Sequence, residues 1–174
     1  MNATIRALAA ALVLAAVTGC RSMPEPMPTV DYVDLERFMG DWYVIANIPT
    51  RIERGAHNAV ETYRLDDDGT IDTTFTFSAG SFDGPRKEYN PRGFVRDTKT
   101  NATWGMQFIW PIKAEYLVVY LDEDYTKTVI GRSARDYLWI MARTPSIPED
   151  EYQAIVRRVG ELGYDVSEIQ RVPQ

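Results

Sequence analysis

The chain has 174 residues, of which 45% are hydrophobic, 11% aromatic and 25% charged, and 25 acidic against 19 basic side chains give a net charge of −6. A domain of this length buries roughly 70% of its unfolded surface without staples, and a single Cys excludes a disulfide-rich scaffold. The acidic balance disfavours nucleic-acid binding, which depends on neutralising phosphates, and the aromatic content argues against disorder.

The N-terminal segment has the pattern of a cleaved signal peptide. Arg6 supplies the positive charge, residues 7–17 form an apolar core, and small residues precede Cys20. This core is too short to span a bilayer, which takes about 20 residues. Its ending resembles a bacterial lipobox, in which the Cys is acylated and becomes the mature N-terminus, except that Val17 replaces the usual Leu.

A Pro-rich stretch follows Cys20 and favours an extended, semi-rigid tether. We therefore predict a signal peptide over residues 1–19, a lipidated Cys20 with its tether over 20–31, and a folded domain over 32–174. Arg21 stands where Asp retains bacterial lipoproteins at the inner membrane, which favours the outer membrane and a domain that faces the periplasm. An ordinary cleaved signal that contains a Cys by chance is the alternative.

After the tether, turn signals recur at short intervals and separate runs rich in Val, Ile, Thr and aromatic residues, which suit a half-buried sheet. The predicted strands cover residues 42–47, 58–65, 70–78, 87–96, 102–110, 116–121, 126–131 and 137–143. Short connections make their order an antiparallel meander. Closure of such a meander removes its exposed edges, so the pattern predicts an all-β fold, an eight-stranded antiparallel up-and-down β-barrel.

One later segment has helical spacing instead. Pro148 and three acidic residues begin it, and Gly163 ends it. Its apolar positions form a single stripe, at Tyr152, Ile155, Val156, Val159 and Leu162. We predict a C-terminal α-helix packed on the outside of the barrel, followed by a short strand over residues 166–170.

Three segments carry a family resemblance: Gly40-Asp41-Trp42-Tyr43 at the first strand, Asp122–Tyr125 before the seventh, and Arg143 at the end of the eighth. In this order they resemble the signature segments of the lipocalin family, and in particular its bacterial outer-membrane lipoproteins, which are related to apolipoprotein D. The resemblance covers residues 33–170. It implies that Gly40, Trp42 and Arg143 lie together at the closed end, with Trp42 under Arg143, as barrel-closing residues. Many relatives also have cysteines that tie the barrel to the C-terminal segment, and here none remain once Cys20 is lipidated.

The sequence offers little for catalysis. His57, the only His, is interpreted as a surface or rim residue, and Glu61 on the same strand face is about 13 Å away. Nucleophile, zinc and phosphate-loop motifs are absent from the sequence, and residues 66–69 are interpreted as a hairpin turn rather than a calcium loop. We therefore predict no catalytic residues, no metal and no cofactor.

Strand parity and the resemblance together suggest a ligand site. If Trp42 and Arg143 face inward, then the residues that alternate with them also do, and these predicted cavity residues are Val44, Ala46, Tyr137, Trp139 and Met141. The expected function is a membrane-anchored lipid-binding protein that stores or transports fatty acids or lysophospholipids in the envelope. Two alternatives stay open: a structural or partner-binding envelope lipoprotein with a filled barrel, and a lipid-modifying enzyme. The sequence does not fix the oligomeric state, and a homodimer is one option.

Overall fold

The computed structural model describes residues 26–174. The predicted signal peptide, the lipidated Cys20 and the first half of the tether lie outside the described residues. The elements in chain order are α1 (Leu35–Phe38), β1 (Gly40–Ile48), β2 (Ala56–Leu65), β3 (Thr70–Ala79), β4 (Arg86–Tyr89), β5 (Arg92–Val95), β6 (Thr103–Ile109), β7 (Ile112–Leu121), β8 (Lys127–Gly131), β9 (Leu138–Ala142), α2 (Glu149–Glu161), a 3₁₀ turn (Val166–Glu168) and β10 (Gln170–Arg171).

The strands form one closed antiparallel barrel in chain order, as predicted. Neighbouring strands follow the order β1-β2-β3-β5-β6-β7-β8-β9, and β1 pairs with β9 from Tyr43–Ala142 to Ile48–Leu138, which closes the wall. β4 and β5 both pair with β3 and together take one position, so the barrel has eight positions. Hairpin turns alternate between two ends: α1 covers the closed end, and the connections β1–β2, β3–β4, β6–β7 and β8–β9 surround the open end.

The prediction of one unbroken strand over residues 87–96 is wrong. The strand stops at Tyr89 and resumes at Arg92, because Pro91 has no N–H with which to continue the ladder. The carbonyl of Pro91 still accepts a hydrogen bond from Thr73 N at 3.2 Å, so the two halves stay in line along β3.

The hairpin β6–β7 is longer than the sequence predicted. β7 begins at Ile112 rather than at residue 116, because Pro111 lies inside a two-residue turn and Ile109 pairs directly with Ile112. The Trp110–Pro111 peptide bond is cis. The side chains of Ile109, Trp110 and Ile112 around this turn are exposed at the open end.

The helix α2 packs outside the barrel, as predicted. Its buried residues Tyr152, Ile155 and Val159 join an outer cluster with apolar residues of β1, β7, β8 and β9. Gly163 follows it with a φ of +88°, a conformation that ends a helix and favours glycine. Neither helix within residues 26–174 combines the length and apolar character needed to cross a bilayer.

The C-terminal strand differs from the prediction. Residues 166–168 form a 3₁₀ turn because the Asp165 side chain accepts hydrogen bonds from Ser167 N and Oγ, which favours a tight turn over an extended chain. β10 follows as two residues, paired with Ala46 and Asn47 of β1.

The predicted boundary at residue 32 lies too late. Met27 is buried in the outer cluster, and Val30 N donates to Val118 O at 3.0 Å. The second half of the predicted tether is therefore part of the folded domain.

Candidate functional site: an internal cavity

The closed end is organised around Arg143. Its guanidinium carbon lies 3.8 Å from the centre of the Trp42 ring, a cation–π arrangement. Nη1 donates to Asp41 O at 2.8 Å, and Nη2 donates to the carbonyls of Arg37 and Phe38 at 2.9 and 3.0 Å. The Arg143 side chain thus links the end of α1 to the start of β1.

Gly40 makes this arrangement possible. Its φ is +92°, and a Cβ at this position would stand 3.4 Å from Arg143 Nη1. The positive φ favours glycine because other residues rarely adopt it, whereas a Cβ would make only an ordinary van der Waals contact with the guanidinium. The structure accordingly brings Gly40, Trp42 and Arg143 together in one contact region.

Aromatic rings fill the barrel interior next to this region, on the side toward the open end. Trp42 donates from Nε1 to Phe38 O at 2.8 Å, and the Phe38 ring lies 5.0 Å from Trp42 and 5.3 Å from Trp104. Trp104, Tyr116 and Trp139 then stack in sequence towards the open end. Beyond this packed region, the barrel has space in the part nearer the open end.

That space is a cavity of about 350 Å³, at the small end of the range for small-molecule sites. Its walls are mainly apolar, and its polar groups lie on one inner side and at the mouth. The lining residues are Thr50, Arg51, Ile52, Glu53, Glu61, Thr73, Phe75, Pro91, Met106, Phe108, Ala114, Glu115, Tyr116, Arg132, Tyr137 and Trp139.

The predicted cavity residues differ in where the structure places them. Tyr137 and Trp139 line the cavity. Val44 and Met141 face the interior, but they lie in the packed cluster with Trp42 and outside the lining.

The placement of Ala46 in the cavity is wrong. The β1–β9 register shifts between Val44 and Ala46, a bulge that turns Ala46 to the outer cluster. The same shift turns Asn47 inward, where Nδ2 donates to Glu53 Oε2 at 3.3 Å.

The sequence did not predict the buried polar cluster that surrounds Glu61. Tyr63 forms a short hydrogen bond to Glu61 Oε2, Tyr116 donates to the same oxygen at 3.2 Å, and the two phenol groups contact each other. All three residues are at most 7% exposed. Burial raises the pKa of Glu61 to about 7, against the two hydrogen bonds, which act to lower it.

Glu53 is a second buried carboxyl on the loop between β1 and β2. It accepts hydrogen bonds from Trp139 Nε1 at 3.0 Å and from Asn47, and burial raises its pKa. No ion pair within residues 26–174 involves Glu53 or Glu61. The cavity therefore carries carboxyl groups whose partners are neutral donors.

The mouth of the cavity, unlike its inner part, carries basic side chains. Arg51 and Arg132 line it, on the β1–β2 and β8–β9 loops, and Arg132 pairs with Asp136 at 3.1 Å. The carboxyl group of Glu115 accepts two hydrogen bonds from Ser133, from N at 2.6 Å and from Oγ at 3.0 Å. His57 lies half-buried at this end, with its ring against Phe82, at the rim where the sequence placed it.

Residues 26–174 contain no group of three or more His, Cys, Asp and Glu side chains that could hold a metal. A closed barrel with one internal, largely apolar cavity instead defines a class of proteins that enclose a single small ligand.

Comparison with known proteins agrees with this class. The family model described as a lipocalin-like domain matches residues 33–174. The chain is 34% identical to temperature-induced lipocalin-1 of Arabidopsis thaliana over 155 residues, which covers 85% of this chain and 83% of the plant protein. It is 31% identical to the outer membrane lipoprotein Blc of Escherichia coli (strain K12) over 179 residues, with 96% and 95% covered.

The chain belongs to the lipocalin family. Among solved structures, insecticyanin from the tobacco hornworm Manduca sexta superposes with a TM-score of 0.68 at 14% identity, covering 87% of this chain and 85% of the insect protein. That likeness concerns the fold. Membership of the family is consistent with the binding of a hydrophobic ligand.

Proposed function

We propose that this chain is a membrane-anchored lipid-binding protein that encloses the acyl chain of a fatty acid or a lysophospholipid. The observation that carries the proposal is the cavity of about 350 Å³, whose walls include Phe75, Met106 and Phe108. A flexible acyl chain fits such a wall because it makes no directional demands. The alternative of a filled barrel with a purely structural role is less well supported, since this space is open.

The polar groups favour one orientation of the ligand. Arg51 and Arg132 at the mouth suit a phosphate or carboxylate, whereas the deeper lining around Glu53 and Glu61 contains no basic side chain. The headgroup therefore lies at the mouth and the acyl chain inside. Because the cavity is small, a lysophospholipid keeps its headgroup outside the barrel.

The anchor and the location are part of this proposal. Cys20 is the only Cys of the chain and follows small residues after an apolar core. The similar protein of Escherichia coli is named an outer membrane lipoprotein. We accordingly place the chain in the outer membrane, attached through acyl groups on Cys20, with the barrel in the periplasm.

We expect the delipidated chain to bind lysophospholipid with a change in Trp fluorescence, since Trp139 lines the cavity. Ala114→Phe puts a ring into the cavity and weakens binding on the order of tenfold or more. Isothermal titration calorimetry alongside fluorescence measures both.

Ala154→Phe on the exposed face of α2 is the matched control and keeps the parent affinity. A parent chain that gives neither heat nor a fluorescence change contradicts the proposed function. Equal affinity of the Ala114→Phe variant would place the ligand elsewhere.

A separate prediction concerns Cys20. Cys20→Ser removes the acyl attachment, and each buried CH₂ of an acyl chain contributes about 0.8 kcal/mol to membrane binding. We expect mass spectrometry of the membrane extract to show acylation of the parent and of a Ser22→Ala control, but not of Cys20→Ser. An unmodified parent N-terminus would refute the anchor.

A further inference from the structure

Exposed apolar side chains are concentrated at the open end of the barrel. Residues 26–174 contain eight large hydrophobic side chains that are strongly exposed, and six of them lie at the open end, on its loops or on the adjoining ends of β6 and β7. These six are Ile52, Phe82, Phe108, Ile109, Trp110 and Ile112. A cluster of this kind on a soluble domain marks an interaction surface.

The most prominent part is the turn of the β6–β7 hairpin, here called the hairpin tip and defined as residues 108–112. Trp110 is 82% exposed, Ile109 72% and Ile112 68%. At the base of the tip, the Arg96 side chain donates a hydrogen bond to Lys113 O at 2.8 Å. Phe108 is half exposed and also lines the cavity, so the apolar surface is continuous from the tip into the ligand site.

The charge around the tip is opposite to that of the whole chain. The open-end segments, residues 50–55, 80–88, 108–115 and 132–137, contain seven basic and five acidic residues, whereas the whole chain has a net charge of −6. One of the five acids is Glu53, which is buried. The exposed open end is therefore basic and complements an anionic surface.

We propose that the open end docks on an anionic lipid bilayer, with the hairpin tip inserted into the interfacial region and the cavity mouth facing the lipids. Apolar side chains flanked by basic residues bind such a surface by burial of apolar area and by attraction to anionic headgroups. A docked mouth lets a lipid enter the cavity without crossing water. Docking at the hairpin tip goes beyond ligand binding, because Ile109, Trp110 and Ile112 do not line the cavity.

Trp110 provides the test, because the other three Trp residues are at most 9% exposed. The acylated full chain is reconstituted in phosphatidylcholine vesicles with phosphatidylglycerol, using lipids with and without bromine in the upper acyl chain. We expect bromine to quench the Trp emission of the parent more strongly than that of a Trp110→Phe variant, in which a brominated acyl chain reaches only Trp139 in the cavity. Vesicles without phosphatidylglycerol give weaker quenching.

The Ile109→Asp/Ile112→Asp double variant loses two exposed aliphatic side chains that docking buries in the lipid, and the ratio of inserted to free tip falls on the order of 100-fold. Tyr32→Asp, at an exposed apolar residue near the closed end, is the matched control and keeps the parent quenching. Flotation of the vesicles measures attachment of the whole chain in every sample.

Protein that floats but shows no bromine quenching overturns the docking proposal and leaves the anchor intact. Quenching of a chain whose Cys20 is unmodified overturns the anchor and supports docking. A dimer in solution that dissociates in the double variant, together with absent quenching, would show that the tip binds a second copy and would also overturn docking.

Discussion

Arg143→Ala is expected to lower the free energy of unfolding by about 3 kcal/mol, or Tm by about 10 °C. The change removes hydrogen bonds to the carbonyls of Arg37, Phe38 and Asp41 and the contact with the Trp42 ring. Part of the site reaches solvent, so water replaces some of the lost donors, and the expected loss is smaller than for a fully buried network. Thermal and urea unfolding at one pH measure it.

Arg143→Lys separates charge from geometry. An ammonium keeps the charge but cannot serve three carbonyls and an indole face together, so we expect it to recover less than half of the loss. Arg157→Ala, on the exposed face of α2, is the control for removal of an arginine and leaves Tm within a degree or two. An Arg143→Ala variant with the parent Tm would show that the closed end is held by its aromatic rings alone.

The second large effect concerns pH. Burial raises the pKa of Glu61 to about 7 in the folded chain, well above its ordinary value of 4.5. Between these values the folded chain holds a proton that the unfolded chain has released. The contribution of Glu61 to stability is therefore complete below about pH 4.5 and is lost as the pH rises through 7, with a span of about 3 kcal/mol.

Glu61→Gln removes this dependence, because an amide stays neutral and its carbonyl still accepts from Tyr63 and Tyr116. We expect the difference in unfolding free energy between parent and variant to change by about 3 kcal/mol between pH 5 and pH 8. Glu53, whose pKa is also raised by burial, adds a dependence of the same sign that remains in the variant. Chemical denaturation across this pH range measures the difference.

The pH window isolates the buried carboxyls. Surface carboxyls such as Asp68 and Asp97 have pKa values lowered by hydrogen bonds, from Thr70 to Asp68 and from Lys99 and Thr100 to Asp97. Their contribution to the stability of the folded chain is therefore lost only in more acidic solution. Glu161→Gln on the exposed face of α2 is the matched control. Parallel curves for the parent and Glu61→Gln would mean that water reaches Glu61 in solution.

The barrel could be predicted because its information is local. Turn residues at short intervals and one apolar stripe between Pro148 and Gly163 are enough to define strands, hairpins and an outer helix. The break at Pro91 was readable in the same way, since Pro cannot continue a ladder. The 3₁₀ turn after Asp165 follows from a side-chain hydrogen bond that competes with extended backbone.

The cavity was less predictable because its residues come from distant parts of the chain. Strand parity predicts an inward Trp139, which lines the cavity, but it failed at Ala46, since a bulge depends on how β1 meets β9 rather than on β1 itself. Glu61 looked like an ordinary strand carboxyl. Its parity with Tyr63 could have indicated an inward side chain, but Tyr116, 53 residues away from Tyr63, could not be inferred from sequence.

The closure of the barrel also determines the order in which the protein can mature. β1 is completed only when β9 and β10 pair with it, and the Gln174 side chain then donates to Val44 O and Ala59 O near the bulge. These contacts join residues separated by about a hundred positions or more, and such long separations slow folding. A chain emerging from a ribosome therefore cannot finish its first strand until residues 138–174 arrive, and the cavity takes its final form only then.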